Sequence, residues 1–121
     1  MIIFDANMIL RYLLNDNQEM ADQAEYYLDT GNVSVTIEVI AEVVYVLKKV
    51  YSMERDQIAN TIRDFLELVS CQKMNVLIDA LEFYGKVNLD FVDCVLLGYH
   101  SVEGARIATF DKKLIKMMND V

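Results

Sequence analysis

The chain of 121 residues has no proline, no tryptophan, four glycines, two cysteines and one histidine. Without proline and with so little glycine there is almost no material for linkers or tight hairpin turns, so one domain over residues 1–121 is expected. Cys71 and Cys94 are too far apart for a C-x-x-C pair, and a lone imidazole cannot complete a cage, which excludes the usual zinc sites and a disulfide framework. Two reduced, buried thiols are expected instead. No uncharged apolar run approaches the ~18 residues a membrane helix needs, and Asp5 interrupts the apolar start too early for a signal peptide. The expected location is cytoplasmic. A Gly-rich phosphate loop and a Ser or Cys triad are also missing. Cations are scarce: 11 Lys and Arg stand against 19 Asp and Glu, a net charge of −8. That shortage argues against a sequence-tolerant nucleic-acid binder, whose affinity rests on phosphate contacts. It weighs less if several acids share divalent cations, because a bound cation reverses the local sign.

What the chain does have is a 55% apolar composition with 25% charged residues, enough to fold around a core. Met1 to Phe4 is a short apolar run of strand type ending at Asp5. Helical spacing follows from about Asn7 to Leu14 and from Asn17 to Asp29, where Thr30-Gly31-Asn32 stops it. Val33 to Val35 suits a second strand. Thr36 to Tyr51 is rich in Val and Ile, yet Ile37, Ile40, Ala41, Val44 and Leu47 recur at helical intervals, predicting a helix buried nearly all round. Ser52 is placed to cap an amphipathic helix with Ile58, Ile62, Phe65, Leu66 and Val69 on one face. Met74 to Ile78 suits a third strand, with Asp79 capping a helix through Lys86. Asp90 caps a helix to about His100, Ala105 to Phe110 suits a fourth strand, and a basic helix closes the chain. Strands separated by helices need crossovers, so the expectation is an α/β three-layer sandwich around a mainly parallel sheet of four strands, or five.

Four acids stand where apolar residues would be unremarkable. Asp5 and Asp111 each follow directly on an apolar run, which places both at the carboxyl edge of the expected sheet, where ligands gather. Either alone is an ordinary helix cap. Glu42 lies in Val39-Ile40-Ala41-Glu42-Val43-Val44-Tyr45, and burial of an unpaired carboxylate there costs several kcal/mol unless a cation, water or a basic partner relieves it. The basic partners within reach in the pattern are Arg11, Lys48 and Lys49. Asp93 sits in an equally apolar run, one helical turn after Asp90. Convergent carboxylates without a His or Cys cluster suit a hard cation, Mg²⁺ or Mn²⁺. Such an ion orients and ionises water and neutralises charge on a phosphate, so the chemistry implied is phosphodiester hydrolysis.

These blocks resemble the PIN-domain nucleases, and in particular the VapC-like toxins of prokaryotic toxin–antitoxin pairs. Phe4-Asp5-Ala6-Asn7 with Met8 to Leu14 resembles the family's opening strand and Asp-x-Asn turn. Val39 to Glu42, Asp90 to Leu97 and Ala108 to Leu114 resemble the segments carrying its second, third and fourth acids, in family order over most of the chain. The resemblance implies that Asp5, Glu42, Asp93 and Asp111 hold Mg²⁺ or Mn²⁺ and that Asn7 and Thr109 orient the site. It also implies RNA as substrate, a homodimer, and an antitoxin that covers the site. Two features depart from the family: the final strand of many relatives is short or missing, and Asp90 is an acid only part of the family has.

Among cations, Lys112 and Lys113 beside Asp111, and then Arg11, are the expected phosphate contacts, with Lys48, Lys49 and Lys116 behind them. Tyr12 and Tyr45 suit either base stacking or packing. Glu38, one turn before Glu42, reads as a solvent-facing acid, and His100 as a structural residue at a helix end. Two rival functions remain: an aspartyl phosphotransferase using Asp5 as nucleophile, which ordinarily wants an acid where Asn7 stands, and a non-catalytic PIN-like binding module.

Overall fold

The computed structural model describes residues 1–120, with Asp120 as backbone only. Its elements are β1 (Ile2–Ile3), α1 (Ala6–Leu14), α2 (Gln18–Asp29), β2 (Val33–Ser34), α3 (Ile37–Lys49), α4 (Arg55–Leu66), α5 (Met74–Lys86), α6 (Phe91–Glu103) and α7 (Lys112–Asp120). Side-chain caps set four of the starts, that of α7 through Asp111 and three nearer the N-terminus. Asp5, Asn17 and Thr36 accept hydrogen bonds from Met8 N, Met20 N and Val39 N and so satisfy donors that the helices leave open.

The sheet is smaller than expected. β1 and β2 pair in parallel, Ile2 beside Val33 and Ile3 beside Ser34, and an isolated parallel bridge joins Ser34 to Ser70. No four-stranded sheet forms among the described residues, and helices dominate. Two expected strands account for the difference. Met74 to Ile78 is the opening of α5, whose buried Val76, Leu77, Ala80, Leu81 and Tyr84 keep one helical face across the whole span. Taking Asp79 as a cap divided that single periodicity in two. Ala105 to Phe110 does alternate half-buried and exposed residues as a strand would, but it has no ladder and Phe110 is fully exposed. Alternating burial reports which side chains face the core, and it does not supply a hydrogen-bonding partner.

Smaller corrections follow the same logic. Ser52 adopts a left-handed φ of 54° and does not cap α4, which starts at Arg55 after Glu54. Asp90 holds the N-cap position of α6, yet its side chain makes no cap hydrogen bond. The α3 helix is not buried all round. It buries Ile40, Val43, Val44 and Leu47 and turns Glu38, Glu42, Tyr45 and Lys49 outward.

The core runs through Phe4, Ile9, Ile40, Leu47, Ile58, Ile62, Phe65, Leu77, Leu81, Leu97 and Leu114, with no polar residue fully buried among the described residues. The α5 and α6 helices pack tightly at Gly98, where a Cβ would lie 2.6 Å from the carbonyl oxygen of Val76. Both thiols are free, Cys94 buried and Cys71 half-buried. No described helix is long and apolar enough to cross a membrane.

Candidate active site

The α6 start is the place where acids meet. Asp93 is half-buried one turn into the helix, and its carboxyl is raised above the ordinary range, first by burial and then by the charges of Asp111 and Asp90. All three effects disfavour the ionised form. No Lys or Arg forms an ion pair with Asp90, Asp93 or Asp111 among the described residues; the ion pairs present are Arg11–Asp16 and Lys73–Glu103.

Hydrogen bonds hold this corner in place. Asp111 Oδ1 accepts from Leu114 N at 2.9 Å and caps α7, while Thr109 Oγ1 accepts from Asp111 N at 3.0 Å. The short linker before α6 is gripped from two sides. Lys113 Nζ of α7 donates to Asn88 O at 2.5 Å. Arg55 of α4 donates to Tyr84 O at 2.8 Å and to Leu89 O, and its guanidinium lies 3.8 Å from the centre of the Tyr84 ring. A planar fork serves this geometry better than an ammonium, because it bonds two carbonyls while stacking on the ring. The neighbouring Cys94 thiol is pushed up to about 12 by burial, only partly opposed by Arg55, so it stays protonated and is no nucleophile.

The other two acids stand apart. Asp5 is exposed directly after β1, its Oδ1 accepting from Met8 N at 2.9 Å. Glu42 is exposed on α3, so the apolar residues around it in sequence lie on other faces of the helix. The alternative relief, a pairing with Arg11, Lys48 or Lys49, does not form among the described residues. No three His, Cys, Asp or Glu side chains among the described residues are grouped closely enough to hold one ion. The donor chemistry suits a hard divalent cation, all carboxylate oxygen and outside any ion pair, but only at Asp93 does the charge of other acids bear on a member of the set.

The expected phosphate contacts are redistributed as well. Arg11 hydrogen-bonds both carboxylate oxygens of Asp16 at 2.8 Å, and Lys113 is engaged with Asn88. Lys112 and Asn7 are exposed at the starts of α7 and α1. Sequence reasoning ranked Lys48, Lys49 and Tyr45 low, yet they line a cavity of about 690 Å³ together with Asp90 and Asp93. Their recurrence at helical spacing beside Glu42 was the available signal. Arg55 was missed altogether, since nothing local marks a guanidinium that binds carbonyls some thirty residues away. Glu38 lines a separate cavity of about 570 Å³ with Ser34, Ser70 and Lys73. His100 Nδ1–H donates to Ala105 O at 3.0 Å and closes the end of α6.

Comparison with known proteins gives one match: the family described as PIN domain, over residues 2–119. No curated protein and no solved structure matches the chain.

Proposed function

The chain belongs to the PIN domain family, whose members are generally nucleases, and from that premise we propose that it is a divalent-metal-dependent endoribonuclease, the toxin of a toxin–antitoxin pair. The observation that carries the reading is Asp93, a half-buried carboxyl whose charged neighbours are two further acids and no paired cation. A protein that needed only a stable fold would have no use for that repulsion, whereas a cation-binding site requires it.

In this reading Asp5, Glu42, Asp93 and Asp111 hold Mg²⁺ or Mn²⁺, with Asp90 supporting Asp93. When bound, the ion supplies an ionised water and neutralises charge on the phosphate. The chain's own groups do the positioning. Thr109, through the Asp111 backbone N–H, and Leu114, through the Asp111 carboxylate, fix that acid at the head of α7. Asn7 stands on the first turn of α1, next to Asp5. Lys112 lies beside Asp111, free to meet the phosphate.

The toxin role rests on the resemblance of the four acidic segments to VapC-like proteins. An antitoxin and a second copy of the chain are partners of this reading, which also places the protein in the cytoplasm. Tyr26, Val50 and Phe110, each more than 60% exposed, are apolar side chains available for such partners to cover.

The test is cleavage of total RNA by purified protein, with and without added Mg²⁺ or Mn²⁺. Cleavage is expected with metal, lost in chelator and abolished in Asp5→Asn, which keeps the shape and the cap. Undiminished cleavage by Asp5→Asn would overturn the assignment. Metal-independent inertness of the wild type towards RNA would favour a binding module.

A further inference from the structure

The outer face of α3 changes character along its length. Glu38 and Glu42 occupy the first two turns, and Tyr45, Lys48 and Lys49 follow at the next turns. Residues 42, 45 and 49 are spaced by three and four, so they share a stripe that runs ~10 Å along the axis. Tyr45 is 62% exposed, and Tyr45, Lys48 and Lys49 line the cavity of about 690 Å³ that Asp90 and Asp93 also line. Neither lysine is in an ion pair among the described residues. An aromatic face held out of the core, two lysines outside any ion pair, and Asp90 and Asp93 alongside Arg55, Phe91 and Val92 give a lining that mixes aromatic, cationic and carboxylate groups.

We infer that this cavity seats one unpaired nucleotide of a single-stranded RNA, next to the phosphate that is cut, with the base stacked on Tyr45 and the neighbouring backbone phosphate held by Lys48 and Lys49. The inference rests on the nuclease reading for its substrate class and adds where the strand lies. Charge is the first argument. With a net charge of −8 the protein repels polynucleotide over most of its surface, so binding has to be concentrated where cations are uncommitted, and Arg11 and Lys113 are already engaged. Shape is the second. A base lies flat on an aromatic ring only when it is out of a duplex, which makes an exposed Tyr facing a cavity a single-strand feature. Lys48 and Lys49 also sit in the last turn of α3, where the helix dipole favours positive charge and holds them there without an acidic partner.

The experiment is fluorescence anisotropy with a labelled, mixed-sequence single-stranded RNA. It is done on the full chain in the Asp5→Asn background, so binding is read without cleavage. Tyr45→Ala is expected to weaken binding by roughly five- to a hundredfold, the range of one lost base stack, while Tyr45→Phe binds as the parent does. The double variant Lys48→Gln, Lys49→Gln is expected to flatten the salt dependence by about 1.4 in the log–log slope, two phosphate contacts on a single strand. Circular dichroism checks that each variant folds, which an exposed position favours.

Unchanged affinity in Tyr45→Ala together with an unchanged salt slope in the lysine variant would overturn the inference. Equal affinity for the same sequence as a duplex would overturn it too. The two readings fail separately: RNA bound through these residues by a protein that never cleaves sinks the nuclease and keeps the cavity. Cleavage that ignores Tyr45, Lys48 and Lys49 keeps the nuclease and sinks the cavity.

Discussion

The two halves of the candidate site are held very differently. At the start of α6, the charges of Asp111 and Asp90 bear on Asp93, and the linker that leads into that helix is bonded from α4 by Arg55 and from α7 by Lys113. Asp5 and Glu42, by contrast, are each fixed only by their own helix, one as a cap and the other on an outward face. The comparison teaches that a cap fixes where a carboxylate begins and does not decide which other carboxylates it meets. That second task falls to tertiary contacts, here Arg55 and Lys113, and the β1 side has no equivalent among the described residues.

The sharpest way to break this comparison is to remove charge from each half in turn. Asp93→Asn and Glu42→Gln are both expected to lower metal-dependent RNA cleavage by more than about a hundredfold, beyond the loss seen when only a supporting partner of a ligand is removed. If only Asp93→Asn does so, the assembled corner works alone and Glu42 is a surface acid.

The clamp is the next target. Arg55→Met keeps much of the volume but leaves the carbonyls of Tyr84 and Leu89 without their charged donor, and should cost about 2 kcal/mol in urea unfolding. Cleavage should fall with it. Arg55→Lys should restore little, because an ammonium cannot span both carbonyls while stacking on Tyr84.

Removing the caps gives a smaller effect that ought to be equal in the two halves. Asp5→Ala and Asp111→Ala should each lose about 1 kcal/mol, and the corresponding Asn variants almost none, since Asn also caps. Thermal unfolding of the four variants checks this. A much larger loss at one position would mean that its acid has a partner beyond its own helix.

The smallest effect is in pH. The folded-state pKa of Asp93 lies above its unfolded value, so the native state binds the proton more tightly and metal-free stability declines as pH rises through that folded value. Asp93→Asn should therefore melt higher than the wild type at neutral pH in chelator, with the gap closing under acid conditions.

How far the sequence announced all this depends on which interactions were local. The helix stop at Gly31 and the apolar stripe of α4 are one-turn features, and they were legible, as were the starts of α2 and α3 near Asn17 and Thr36, though not the capping role of those two residues. Glu42 was misread because a run of Val and Ile suggested burial on every side, whereas a helix still has an outer face and Glu42 lies on it. The strand expected at Ala105 to Phe110 failed for a different reason: a ladder needs a partner edge, which no local pattern encodes. The neighbours of Asp93 were half legible. Asp90 is a helical turn away, but Asp111 comes from the far end of the chain and only the packing of α7 on α6 brings it near.

The most direct test of the central claim is calorimetric titration of Mn²⁺ into the wild type and into Asp5→Asn, Glu42→Gln, Asp93→Asn and Asp111→Asn. The account predicts binding to the wild type and weaker binding to every one of the four variants, because both halves of the site close on the same ion. Wild-type affinity retained in Asp5→Asn and Glu42→Gln, or no heat at millimolar Mn²⁺ in any of the proteins, would contradict it.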